Sequence, residues 1–113
     1  MKVFDYKEIP AEEAEINGAK GVKVRWLIAK KDGAPNFAMR LFEVAPGGHS
    51  PLHTHDWEHE VFIVEGEGLA VDSEKETGVK SGSVIYVAPN EKHQFKNTGS
   101  GVFKFICIIP IKE

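Results

Sequence analysis

The chain is poor in cysteine. A single thiol, Cys107, among 113 residues excludes an internal disulfide and any cysteine-rich zinc site, and it fits a reducing, cytoplasmic setting. Long apolar runs are missing as well. The N-terminus "MKVFDYKEIP" has no apolar leader, and no later stretch approaches the roughly 20 residues of a membrane helix, so no membrane partner is expected. Nor is there a basic excess: a formal charge of −3 and a pI near 6.0, with Lys and Arg scattered among acids, exclude the cationic face that nucleic acid requires. Glutamine occurs only at Gln94, against many Lys and Glu, a balance met in heat-stable chains. Helical periodicity is confined to a polar turn at "PAEEAEI" (10–16). Nucleophile elbows, phosphate-cradling loops and dinucleotide fingerprints are absent, since "GEG" at 66–68 is too short to count. At 12.5 kDa, with 42% apolar and 27% charged residues, the chain has the make-up of one globular domain spanning 1–113.

What is present is β-sequence. "GVKVRWLIA" (21–29) and "FAMRLFEVA" (37–45) are strand candidates parted by the turn-forming "KKDGAPN". "EVFIVEGEGLAV" reads as a hairpin about Gly66 and Gly68, and "SGSVIYVAPNEKHQFKN" and "GVFKFICIIPI" continue the pattern. Short strands at regular spacing with Gly, Pro and Asn turns predict an all-β sandwich or barrel, with an N-terminal arm over about 1–20 and the barrel over about 21–110.

Five histidines punctuate this frame, three of them within "HTHDWEHE" (53–60). On a strand, residues two apart share a face, so His53 and His55 would project side by side as a chelating pair. "DWE" lets the chain turn, and His59 opens the next apolar run, where a neighbouring strand can present a third imidazole. His93 starts another strand after a Pro-Asn turn. Imidazole suits Mn, Fe, Ni, Cu and Zn and serves Mg or Ca poorly. A lone histidine in an apolar strand is usually a hydrogen-bonded core or surface residue, and that is the expectation for His93 taken alone. Three converging imidazoles without a metal would repel one another once protonated, which favours ligation for the trio. His49, in the loop "PGGHSPL", has no such geometry.

These residues carry a resemblance. "GGHSPLHTHDWEHEVFIVEG" (47–66) resembles the first cupin motif in Gly47, His53, His55, His59 and Gly66, and "GSVIYVAPNEKHQFKN" (82–97) resembles the second in Gly82, His93 and Asn97. The resemblance implies a cupin double-stranded β-helix, a jelly-roll barrel, with His53, His55, His59 and His93 as metal ligands. The common motif has a glutamate where this chain has His59, and Glu60 is the rival for that place. Spacing to Gly66 and strand alternation favour His59. Asn90 stands where the turn usually has glycine, a mild change because Asn tolerates the left-handed conformation. The four-histidine pattern is similar to that of small manganese-binding cupins, some of them dioxygenase-like, and this implies manganese (with Fe, Ni, Cu or Zn as alternatives) and a homodimer. Four neutral imidazoles would leave the full double charge on the ion and two octahedral positions open to a small-molecule ligand.

Strand parity gives the surroundings. Phe105, Cys107 and Ile109 share a face with Phe103, opposite Lys104, and are expected to line the cavity. Arg40 shares parity with Phe42, making the pair candidate wall residues and Arg40 either an anion anchor or a surface or interface residue. Trp57 and Glu58 lie between ligands, as a lid over the mouth or as ordinary dimer or surface contacts. No residue presents itself as a catalytic acid or base. The function expected is an oxidoreductase of dioxygenase type acting on a small enolic or aromatic molecule. The alternatives are a Lewis-acid isomerase or lyase on a sugar or keto acid, and a metal- or small-molecule-binding protein without turnover.

Overall fold

The computed structural model describes residues 1–14 and 16–111. Nine strands follow in chain order: β1 (Glu12–Glu13), β2 (Lys20–Ile28), β3 (Phe37–His49), β4 (His59–Glu65), β5 (Glu67–Val71), β6 (Glu76–Lys80), β7 (Val84–Val87), β8 (Gln94–Asn97) and β9 (Phe103–Pro110). Among the described residues the 3-10 turns are Tyr6–Glu8, capped by the Asp5 side chain, and Lys30–Asp32, closed by Gly33 in the left-handed region. The fold is all-β, and among the described residues no helix is long and apolar enough to cross a membrane.

The strands form one curled sheet in the order β6-β5-β8-β3-β9-β4-β7, with β2 and then β1 attached to β3. Every pairing is antiparallel. The long strand β3 makes the curl possible. Its residues 37–44 pair with β9, whereas its far end, beyond "PGG", pairs His49 with Lys96 of β8.

The hairpin expected at Gly66 does not form. β4 pairs with β7 and β9, and β5 pairs with β6 and β8, so the chain changes sides of the barrel at Gly66. The glycine is required there: its φ is +87° and a Cβ would lie 2.6 Å from the Val102 carbonyl oxygen. The polar turn expected at 10–16 is also replaced. Glu12 and Glu13 pair with Val24 and Lys23, because an open edge of β2 offers the backbone partners that a short polar helix would lack.

Register explains the core. Val44, Phe42 and Arg40 of β3 stand opposite Phe103, Phe105 and Cys107 of β9, and Ile63 and Val61 of β4 stand opposite Phe105 and Cys107. Val44, Ile63 and Phe103 are fully enclosed, each contributing about 1.5–3 kcal/mol through burial. The next residues along each strand face out. Glu43 and Lys104 pair on that side, and the N-terminal segment covers them: Lys104 Nζ donates to the Tyr6 hydroxyl at 3.3 Å, and Arg25 Nη1 donates to the Ile9 carbonyl at 2.6 Å. Asn97, almost fully buried, joins the barrel to its last turn by donating to the carbonyls of Val44 (2.9 Å) and Gly101 (2.8 Å) and accepting from the Gly99 amide (2.9 Å).

Candidate metal centre

His53 and His55 do not lie on a strand. They belong to the loop joining β3 to β4, and what brings His53 to the barrel is an isolated bridge to His93, with amide-to-carbonyl bonds of 3.2 and 3.0 Å in the two directions. The Asn90 amide donates to the His55 carbonyl at 2.7 Å, clamping the same loop a second time. Asn90 reaches that position with a φ of +68°, the one positive value at a non-glycine among the described residues. Proline at 51 and the bend at 56–57 keep this loop out of a ladder, which is why alternation was the wrong reason for two histidines that do converge.

The rings cluster tightly. Donor nitrogens of His53, His55 and His93 all lie within 4.8 Å of one another, so these three can hold a metal ion. His59, the first residue of β4, stacks on His55 (centroids 4.3 Å, 11° between planes) and tilts against His93 at 5.1 Å. It is 7% exposed, while Glu60 faces outward opposite Tyr86 and Ile108. His49, expected in a loop, ends β3, its Nδ1 lying 3.2 Å from the Ser50 carbonyl and 3.5 Å from Gln94 Nε2.

Two observations fit a cation at the centre of the rings. The Nε2 atoms of His55, His59 and His93 are buried without a hydrogen-bond partner, a cost that a coordinate bond would remove. Their Nδ1 atoms are engaged on the far side. Those of His55 and His93 lie 2.8 Å from the carbonyls of Trp57 and Glu91. A carbonyl only accepts, so each Nδ1 carries the proton and each Nε2 of the neutral ring presents a lone pair to the cluster.

The electrostatics favour the neutral form of His53, His59 and His93. Burial, with the charges of His55, Arg40, His93 and His53, pushes His59 down to about 2. Burial lowers His53 also, helped by His93, His55 and Arg40. For His93 burial again dominates, against the upward pull of the Glu91 carbonyl. A neutral imidazole is the metal-binding form.

Around the rings, Trp57 stacks on His55 at 4.2 Å with planes 4° apart. A cleft of about 280 Å³ opens beside it, lined by Trp26, Ala29, Lys30, Ala38, Trp57, Ile109, Pro110 and Ile111. A second, of about 260 Å³, borders His93 and Phe95. Of the residues expected along the cavity wall, Ile109 borders the first cleft, and Phe42 and Phe105 stack on each other at 5.3 Å within the core. Cys107 touches His59, Sγ to Nδ1, at 2.9 Å, and burial pushes its thiol up, opposed by Arg40. The Arg40 guanidinium lies over the faces of Trp26 (5.2 Å) and Phe42 (4.8 Å) and donates from Nη2 to Cys107 Sγ at 3.3 Å. Sequence reasoning left Trp57 undecided and missed Trp26 and the Asn90 clamp. Only the left-handed tolerance of Asn after Pro pointed to the last of these.

Comparison with known proteins agrees with this arrangement. Residues 40–109 match the cupin domain family. The oxalate-binding protein of Thermotoga maritima is 32% identical over 114 aligned positions, covering 96% of this chain and 93% of that protein. The polyketide cyclase RemF of Streptomyces resistomycificus superimposes with a TM-score of 0.94 at 32% identity, over 99% of this chain and 80% of that one. A predicted oxalate decarboxylase from Thermotoga maritima gives a TM-score of 0.86 at 29% identity, over 98% and 100% of the two chains. Sequence match, barrel topology and the histidine cluster agree, and the chain belongs to the cupin family.

Proposed function

We propose that this chain binds one divalent transition metal through His53, His55, His59 and His93, manganese being the ion favoured by its resemblance to the four-histidine cupins, and uses it to hold and activate a small chelating oxygen ligand. One observation carries the reading: buried, partnerless Nε2 atoms on three of four clustered rings. A cation held by imidazoles alone keeps its full charge and supplies Lewis acidity toward a carbonyl or carboxylate oxygen.

The surrounding residues suit an anion with an apolar body. Arg40 adds a positive charge, and no carboxylate pairs with it among the described residues. Trp26, Ala38, Trp57 and Ile109 provide a mostly apolar cleft beside His55 with room for a planar group. Oxalate, bound by one relative, and a polyketide, cyclised by another, both present paired oxygens. A compound that chelates through paired oxygens, such as a dicarbonyl, is therefore the substrate class, and a non-redox rearrangement or cyclisation the reaction class. The same apolar cleft favours a second reading, an oxygen-dependent dioxygenase.

Calorimetry of the manganese-loaded protein with oxalate and with acetylacetone tests the first reading. Binding of either, abolished by removing the ion with a chelator, is expected; ion-independent binding would sink it. Oxygen uptake with an enolic compound would move the assignment to the second.

The outer face of β4, β7 and β9 carries Phe62, Val64, Val84 and Tyr86, between 43% and 77% exposed, beside Ile106 and Ile108. So contiguous an apolar face supports a homodimer that buries it against its own copy.

A further inference from the structure

The ring nitrogens turned away from the cluster have partners of two kinds. His55 and His93 face backbone carbonyls, which can only accept. His59 faces the Cys107 sulfur at 2.9 Å, and a thiol can donate or accept. Among the three rings whose outward nitrogen has a partner, His59 is thus the one whose tautomer backbone geometry leaves open.

Three features resolve it. Arg40 Nη2 already donates to the same sulfur at 3.3 Å, so the sulfur is serving as an acceptor. If the thiol instead donated to Nδ1, the His59 proton would sit on Nε2, which has no partner and belongs to a ring 7% exposed. Either tautomer leaves Nε2 without a protein partner, but only a lone pair there can be satisfied by a cation at the centre of the rings, whereas a proton would block it. Finally, Cys107 is the register partner of both Arg40 on β3 and Val61 on β4, and the backbone groups of these strands are spent on the ladders, so the acceptor for a ring on β4 has to come from a side chain.

We propose that Cys107 is a positioning residue. Its sulfur accepts the Nδ1 proton of His59, held in that role by the Arg40 guanidinium, and so turns the His59 Nε2 lone pair toward the cluster. A sulfur does here what backbone carbonyls do for His55 and His93. The inference rests on the reading of His59 as the fourth ligand.

Nitrogen-15 correlation spectra of the metal-free protein, with labelled histidine, report the protonated nitrogen of each ring. The wild type is expected to carry the His59 proton on Nδ1. Cys107→Ala is expected to shift it toward Nε2 and to weaken manganese(II) binding, followed by the resonance of the free ion, by about 10–100-fold. Cys107→Ser, which keeps an acceptor, is expected to restore most of both. A wild-type His59 protonated on Nε2 overturns the inference without any variant having to fold, as does Cys107→Ala with unchanged tautomer and affinity. A wild type that has the expected tautomer yet takes up no manganese overturns the four-histidine reading instead.

Discussion

His53 and His93 are joined backbone to backbone, each amide donating to the other's carbonyl, and their rings stand 4.7 Å apart. The two histidines farthest apart in sequence within the cluster are therefore its most rigidly related pair. Main-chain bonds fix their separation before any ion arrives, and the Asn90 amide does the same for His55.

Replacing a ring should remove binding and replacing its neighbour should not. His59→Ala and His93→Ala are each expected to weaken metal binding by at least about 100-fold, more than loss of a supporting residue costs. Glu60→Ala, on the outer face, should leave it unchanged. Elemental analysis of untagged protein decides, and a metal content that falls with Glu60 and survives loss of His59 would reassign the ligand.

Acid should destabilise the metal-free protein well before its carboxylates titrate. Folded His59 stays neutral down to about 2, and His53 and His93 are lowered as well, whereas the unfolded chain takes up protons as pH falls through about 6.5. Below that point the unfolded state binds more protons, so the stability present at higher pH is lost on acidification, by about 1.4 kcal/mol in all between pH 7.5 and 5.5 for His59 alone. Urea unfolding at pH 7.5 and 5.5 measures this. His59→Gln should flatten the dependence by that amount, and an unaltered slope would contradict it.

Gly66→Ala is expected to destabilise the fold by roughly 2–4 kcal/mol, since the change both strains a positive φ and presses a methyl on the Val102 carbonyl. Gly78→Ala, with open space around it and an ordinary φ, is the control and should cost less than about 1 kcal/mol in the same denaturant titration.

The apolar outer face predicts self-association. Sedimentation of Phe62→Glu/Val84→Glu should give a monomer that keeps the wild-type metal content, because both side chains lie on the opposite face from the histidines. A wild-type protein that sediments as a monomer would remove the dimer.

Much of this was legible from residue types. The β-class, the paired cupin motifs and the inward face of Phe103, Phe105 and Cys107 all follow from patterns local to a strand or turn. What escaped depended on which strands become neighbours. Gly66 looks like a hairpin glycine because a hairpin and a crossover use the same left-handed turn, and only the pairing of β4 with β9 distinguishes them. His53 and His55 look like a strand pair because His-Thr-His alternates, yet a bridge to a residue on the far side of the sequence sets their geometry. Trp57 and Arg40 acquired their surroundings in the same way, from ring stacking and register that no spacing records.

The crossing of the chain at Gly66 also fixes the order in which the centre can come into being. β4, which carries His59, is held on one side by β9, the last strand, and β9 also pairs with β3, which precedes every ligand. An extended or half-made chain has the imidazoles but not their common focus. His59 takes its place beside the other three rings on a strand that β9 joins to β3, so the complete four-histidine centre belongs to the closed barrel, and an ion bound there would act on the finished fold as a lock rather than as a nucleus.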